Sequence, residues 1–175
     1  MLKYFVCAVS MITISVLASQ SAKAQTTATQ GFTISIPQSL SIVAPAAVSL
    51  THDQTNNPQA FPQQPWVVKG NNTTGVNVSF AAATPFIHAT DPTFRRNARL
   101  ALALGATQGP AIWTVGIAQD STDYVTNDGI AIVTSSSTGV GRANLNLVVS
   151  FITEEFGVFA AGDHTTTVTG TIAAK

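Results

Sequence analysis

The chain reads as all-β, an antiparallel Ig-like β-sandwich of about seven to nine strands, on three observations. Short runs in which apolar and polar residues alternate recur along it, as in Val76-Asn77-Val78-Ser79-Phe80. Thr, Ser, Val and Ile are abundant while Glu and Lys are few, a composition suited to a pleated, half-buried surface. No stretch sustains the 3.6-residue apolar period of an amphipathic helix.

The first residues are not part of that pattern. Met1-Leu2-Lys3 carries one positive charge, an apolar run broken by Ser10, Thr13 and Ser15 follows, and Ala22-Lys23-Ala24 supplies an A-x-A exit. Charged start, apolar middle and small-residue exit predict a secretory signal peptide over residues 1–24, cleaved after Ala24. The run is shorter than the roughly 20 residues a transmembrane helix needs. Residues 25–175 then form one domain. Lys3 and Lys23 leave with the signal, so six Lys+Arg face eight Asp+Glu, a mature net charge of −2. That balance offers no basic footprint for nucleic acid; Arg95, Arg96 and Arg99 read as a solvated loop or strand edge. The single cysteine, Cys7, lies in the signal, so the mature chain is stabilised through its core without disulfides.

Along the mature part, residues 25–30 are a polar leader, and Phe32-Thr33-Ile34-Ser35-Ile36 alternates strictly as a first strand ended by Pro37. Leu40-Ser41-Ile42 and Ala47-Val48-Ser49-Leu50 continue the extended chain. Residues 52–65 hold Pro58, Pro62 and Pro65, which lack the ladder donor, so a surface loop is expected. Trp66-Val67-Val68-Lys69 is a strand closed by Gly70-Asn71-Asn72, and residues 75–80 form the next. Residues 84–96, with Pro85 and Asp91-Pro92, read as a loop. Residues 99–104 alternate Leu with Ala; Ala and Leu favour helices, but the strict alternation and short length select a strand. Residues 112–117, 130–133, 145–151 and 165–172 complete the strands, and Asn127-Asp128-Gly129 marks a tight turn.

The closing run Gly162-Asp163-His164-Thr165-Thr166-Thr167-Val168-Thr169-Gly170-Thr171-Ile172 resembles the last strand of exported bacterial sandwich modules, the WxL-type surface domains and the spore-coat-U or archaic-pilin subunits. The alternating start at Phe32–Ile36 and the strand, Asn-rich turn and strand over residues 66–80 resemble them too. The chain departs from them in three places: His164 stands where those families often carry Tyr, Trp113-Thr114-Val115 misses the WxL tripeptide at its last residue, and the cysteines of the coat-U pilins are absent. The resemblance implies a β-sandwich surface protein and carries over no functional residue.

Recognisable chemistry is sparse. His52, His88 and His164 show no metal-ligand spacing, and neither His52-Asp53 nor Asp163-His164 has motif support for catalysis. No serine lies in G-x-S-x-G. Glu154 and Glu155 are neighbours, so on a strand they face opposite ways and do not converge on a glycosidic bond. Asp120, Asp123 and Asp128 break the alternate-position register of a calcium loop. Gly139-Val140-Gly141 lacks the third glycine and the helix of a phosphate cradle. The expectation is therefore no catalytic residue, no metal and no cofactor. Trp113 is expected in the core, and Trp66, behind Pro65, is the one candidate ligand-stacking residue.

The sequence thus predicts a non-enzymatic structural or adhesive protein, secreted, periplasmic or at the cell surface. Its partners would be other copies of itself or cell-surface components. A fibre-type subunit would donate residues 25–36 as a strand. The other reading is a carbohydrate- or small-ligand-binding module with its site on loops 51–65, 84–97 and 119–129.

Overall fold

The computed structural model describes residues 26–175; the expected signal peptide lies outside them. The chain divides into two compact units, Met1–Ser35 and Ile36–Lys175, and the second carries every described strand. There is no helix among the described residues, hence none long and apolar enough to cross a membrane.

Among the described residues thirteen strands follow in order: β1 (Leu40–Val43), β2 (Gln59–Ala60), β3 (Gln64–Gly70), β4 (Val76–Ala82), β5 (Phe86–His88), β6 (Arg95–Arg96), β7 (Ala98–Gln108), β8 (Trp113–Val115), β9 (Gln119–Ser121), β10 (Ala131–Ser137), β11 (Gly141–Phe151), β12 (His164–Thr165) and β13 (Val168–Ala174). The larger sheet runs β1-β3-β11-β7-β9, with β2 beside β11. The second runs β13-β4-β10-β8, and a small third sheet runs β12-β5-β6. Every pairing is antiparallel. The all-β sandwich expected from alternation is what forms.

Alternation builds the core because side chains flip faces at each residue. From the larger sheet Val68, Leu100, Leu102, Ala143, Leu145 and Leu147 point inward; from the second come Val76, Val78, Phe80, Trp113 and Val133. Trp113 is 5% exposed, in the core as expected. Two serines share this interior with their hydroxyls satisfied. Ser135 Oγ donates to the Thr114 carbonyl, and Ser137 Oγ accepts from the Val76 N–H. A second, smaller cluster of Phe86, Ala98 and Phe151 lies at the end where β11 finishes and β7 begins.

The element count exceeds the expectation through short pieces. All three expected loops, residues 51–65, 84–97 and 119–129, contain ladder residues: β2, the start of β3, β5, β6 and β9. Pro65 is tolerated inside β3 because β1, whose register stops opposite Val67, no longer flanks it. The Leu/Ala run is a strand, β7, and continues past Gly105 to Gln108. The closing Thr-rich run is not one strand: it breaks at Thr166-Thr167, giving β12 to the small sheet and β13 to the second sheet.

Two expected strands do not form ladders. Residues 32–36 and 47–50 have no strand partner, and the first ladder residue is Leu40. Alternation sets which face a residue would bury but supplies no neighbour to bond to. Phe32 and Ile34 are each 87% exposed, and Ile36 is 77% exposed.

Candidate functional site

Two features stand out: an unfinished lip along one side of the sandwich and an aromatic cavity at one end. The lip lies between β1 and β13, which belong to different sheets. Among the described residues β1 pairs with β3 alone and β13 with β4 alone. Leu40, Ile42, Trp66, Val168 and Ile172 are partly buried there, packed on the main core. Trp66, the candidate stacking residue, stands edge-on to Phe80 with ring centroids 5.0 Å apart. It also touches Gly170: a Cβ there would come 2.8 Å from both Ile42 and the Trp66 ring. Glycine at that position lets the Ile42 and Trp66 side chains pack against the middle of β13, while its outer hydrogen-bonding edge carries no strand among the described residues.

The cavity, about 740 Å³, is formed by chain segments 48–61, 151–166 and Phe86. Phe61, Phe86, Phe151, Phe156 and Phe159 line it, with His52 and His164. The rings contact one another. Phe61 stacks on Phe86 at 5.9 Å, and Phe86 and Phe159 meet Phe151 at 5.3 and 5.6 Å. All three expected recognition loops gather at this end. The first and second bring His52, Phe61 and Phe86; the third is tied on by Tyr124, whose N–H bonds Asn97 Oδ1 and whose hydroxyl accepts from Arg96.

The histidines, separate in sequence, also collect here. His52 Nδ1 accepts the Gln54 N–H at 2.9 Å, so its proton resides on Nε2, 3.0 Å from Thr153 Oγ1. Thr153 in turn donates to the Asn57 carbonyl at 2.8 Å. His88 repeats the arrangement: Nδ1 accepts the Asp91 N–H and Nε2 faces the Ala161 carbonyl at 3.2 Å. His164 is opposite, with Nδ1 facing the Gly162 carbonyl at 3.2 Å and a buried, unpartnered Nε2. Its ring lies 5.0 Å from that of His88. Burial first, then the positive fields of His88 and Arg96, hold the His164 pKa below its ordinary value, against the Gly162 bond and Asp163.

Arg96 is 6% exposed and sits 4.7 Å from the Phe159 ring centre, a cation–π contact. One of its terminal nitrogens donates to the Arg95 carbonyl and to Tyr124 Oη. The sequence predicts a solvated position for Arg96; the exposed neighbour, Arg95, fits that reading, and Arg96 does not. The aromatic contact and the carbonyl make its burial tolerable.

Thr153, His52 and Asp53 invite comparison with a nucleophile–base–carboxylate triad, since Asp53 Oδ1 is 4.0 Å from His52 Nδ1. The tautomer is the reverse of the one a triad needs. The base must present a lone pair to the hydroxyl and donate to the carboxylate, whereas His52 presents a proton to Thr153 and accepts at Nδ1. Thr153 is also fully buried. The Asp53 carboxyl is held below its usual range by the Thr55 hydroxyl and N–H. Asp91 and Asp123 are likewise lowered, by Thr93 and Thr126. Asp120 accepts from the Ser121 and Ile132 N–H groups.

The aromatic convergence is not visible as a site in the sequence. The available signal is Phe156-Gly157-Val158-Phe159, apolar residues placed in a turn. No family model matches the chain, nor does any curated protein or solved structure with which it was compared.

Proposed function

We propose that this chain is an exported, non-enzymatic structural or adhesive surface protein, a fibre-type subunit built on an Ig-like sandwich. Residues 25–36 of one copy add as a strand along β13 of the next, and Phe32, Ile34 and Ile36 enter the lip beside Val168 and Ile172. The observation that carries this reading is the exposure of those three alternating residues, 87%, 87% and 77%. An alternating apolar segment left in water and a sheet edge with open N–H and C=O groups are the two halves of β-strand addition.

Magnitudes favour a ladder over loose contact. Burying three such side chains contributes about 1.5–3 kcal/mol each. Ordering the backbone beneath them costs about 1–2 kcal/mol per residue over five residues. The two are comparable, so the hydrogen bonds along β13, at about 0.5–1.5 kcal/mol each, decide the balance.

Size-exclusion chromatography and unboiled gel electrophoresis of the mature protein test the reading. Heat-resistant ladders that collapse to monomer in Ile34→Asp are the expected result. A wild-type protein that runs as a compact monomer at every concentration would remove it.

A further inference from the structure

We propose that the aromatic cavity at the end of the sandwich is a binding site for an uncharged, ring-bearing apolar ligand. Its volume of about 740 Å³ lies in the range that encloses a small organic molecule. Five phenylalanines from distant parts of the chain converge on it, yet they do not close it. Phe156 remains 42% exposed, and Val48 and Leu50 on its wall are 46% and 43% exposed. A packing core buries such groups; a preformed site leaves them for a ligand to cover.

The charge of the ligand follows from the polar atoms around the rings. Both ring nitrogens of His52 are engaged, Gln59 Nε2 is bonded to Asp53 and Asn57, and the Thr166 hydroxyl is bonded to the Thr84 carbonyl. The other side-chain donors of the wall, on Ser49, Thr51, Gln54 and Thr165, are uncharged, and the exposed Asp163 carboxylate repels an anion. For a cation the attraction of Asp163 is opposed by the Arg96 guanidinium, which already lies 4.7 Å from the Phe159 ring centre. Apart from the unpartnered His164 Nε2, recognition falls to ring faces and edges, which selects a neutral planar or cyclic hydrocarbon-rich molecule.

Fluorescence titration with N-phenyl-1-naphthylamine, a neutral two-ring probe, tests the site on the mature protein. The expected result is saturable one-to-one binding, weakened about tenfold in Phe156→Ala through loss of one aromatic wall. Ala160→Trp, which fills the cavity, should weaken binding similarly. Ile117→Ser, on another surface, and Ile34→Asp, in the donated segment, should leave it unchanged. Thermal midpoints confirm that each variant is folded. Absence of saturable binding, wild-type affinity in both cavity variants, or displacement of the probe by tetramethylammonium would overturn the proposal. Loss of binding in Ile34→Asp alone would do so too, by placing the probe at the lip.

Discussion

His164 shows how a single ring can be constrained by what surrounds it. Its Nδ1 is committed to the Gly162 carbonyl, while its Nε2 is buried without a partner. The titratable and charged groups facing it are His88 from β5, Arg96 from β6 and its neighbour Asp163, with Phe151 and Phe159 closing the rest. Its pKa is lowered from 6.5, chiefly by burial. The unfolded chain therefore binds this proton more readily than the folded one. Stability contributed here is complete above the unfolded value and falls as pH drops from about 6.5 toward the lower folded pKa. Denaturant midpoints should decline across that interval, and His164→Gln should flatten the decline. An imidazole resonance that titrates above 6.5 would contradict the assignment.

Gly162, two residues earlier, has φ of 141°, and a Cβ there would run into His88 Nε2. Gly162→Ala should cost about 1–3 kcal/mol, read as a lower urea midpoint. The effect is local: His88 must move, and with it the bond to Ala161 and the β5–β12 pairing of His88 with His164.

At the scale of the element, alternation and burial agree wherever a strand is long. β4 and β10 each read buried at every second residue, and the register between them places Phe80 opposite Val133. These strands, and the middle of β11, are legible from sequence because one face is fixed by the core. Leu145, at the centre of β11 and fully buried, should cost about 2–5 kcal/mol when changed to alanine. Equilibrium unfolding checks this; a loss under about 1 kcal/mol would mean the core collapses around the gap. The two-residue pieces β2, β6 and β12 are not legible. No period exists in two residues, and tertiary neighbours decide whether they bond. The break at Thr166-Thr167 has the same origin: nothing in an unbroken Thr/Val run says that its halves serve different sheets. The aromatic cavity is illegible for a related reason, since its rings come from positions 61, 86, 151, 156 and 159, and only the fold brings these together.

For the whole molecule, the distribution of charge bears on how copies would assemble. Residues 25–51 contain no charged side chain, and neither does β13. Joining the segment to that edge would bring together two uncharged, half-apolar surfaces, because the six Lys+Arg and eight Asp+Glu of residues 25–175 all lie elsewhere. Screening by salt weakens contacts between exposed charges, whereas apolar association is unaffected or strengthened by excluded salts. Assembly through residues 32–36 should therefore persist at about 1 M sodium chloride and increase in sulfate. Thermal stability should also depend on concentration. A copy whose β13 edge is occupied gains stability by mass action, so the melting midpoint should rise with protein concentration in the wild type and stay constant in Ile34→Asp. Light scattering across a salt series, paired with melting curves over a hundredfold concentration range, makes both measurements on one preparation. Dissociation by salt would point to a charged interface instead, with Arg95 and Arg142, both exposed, as the first residues to test.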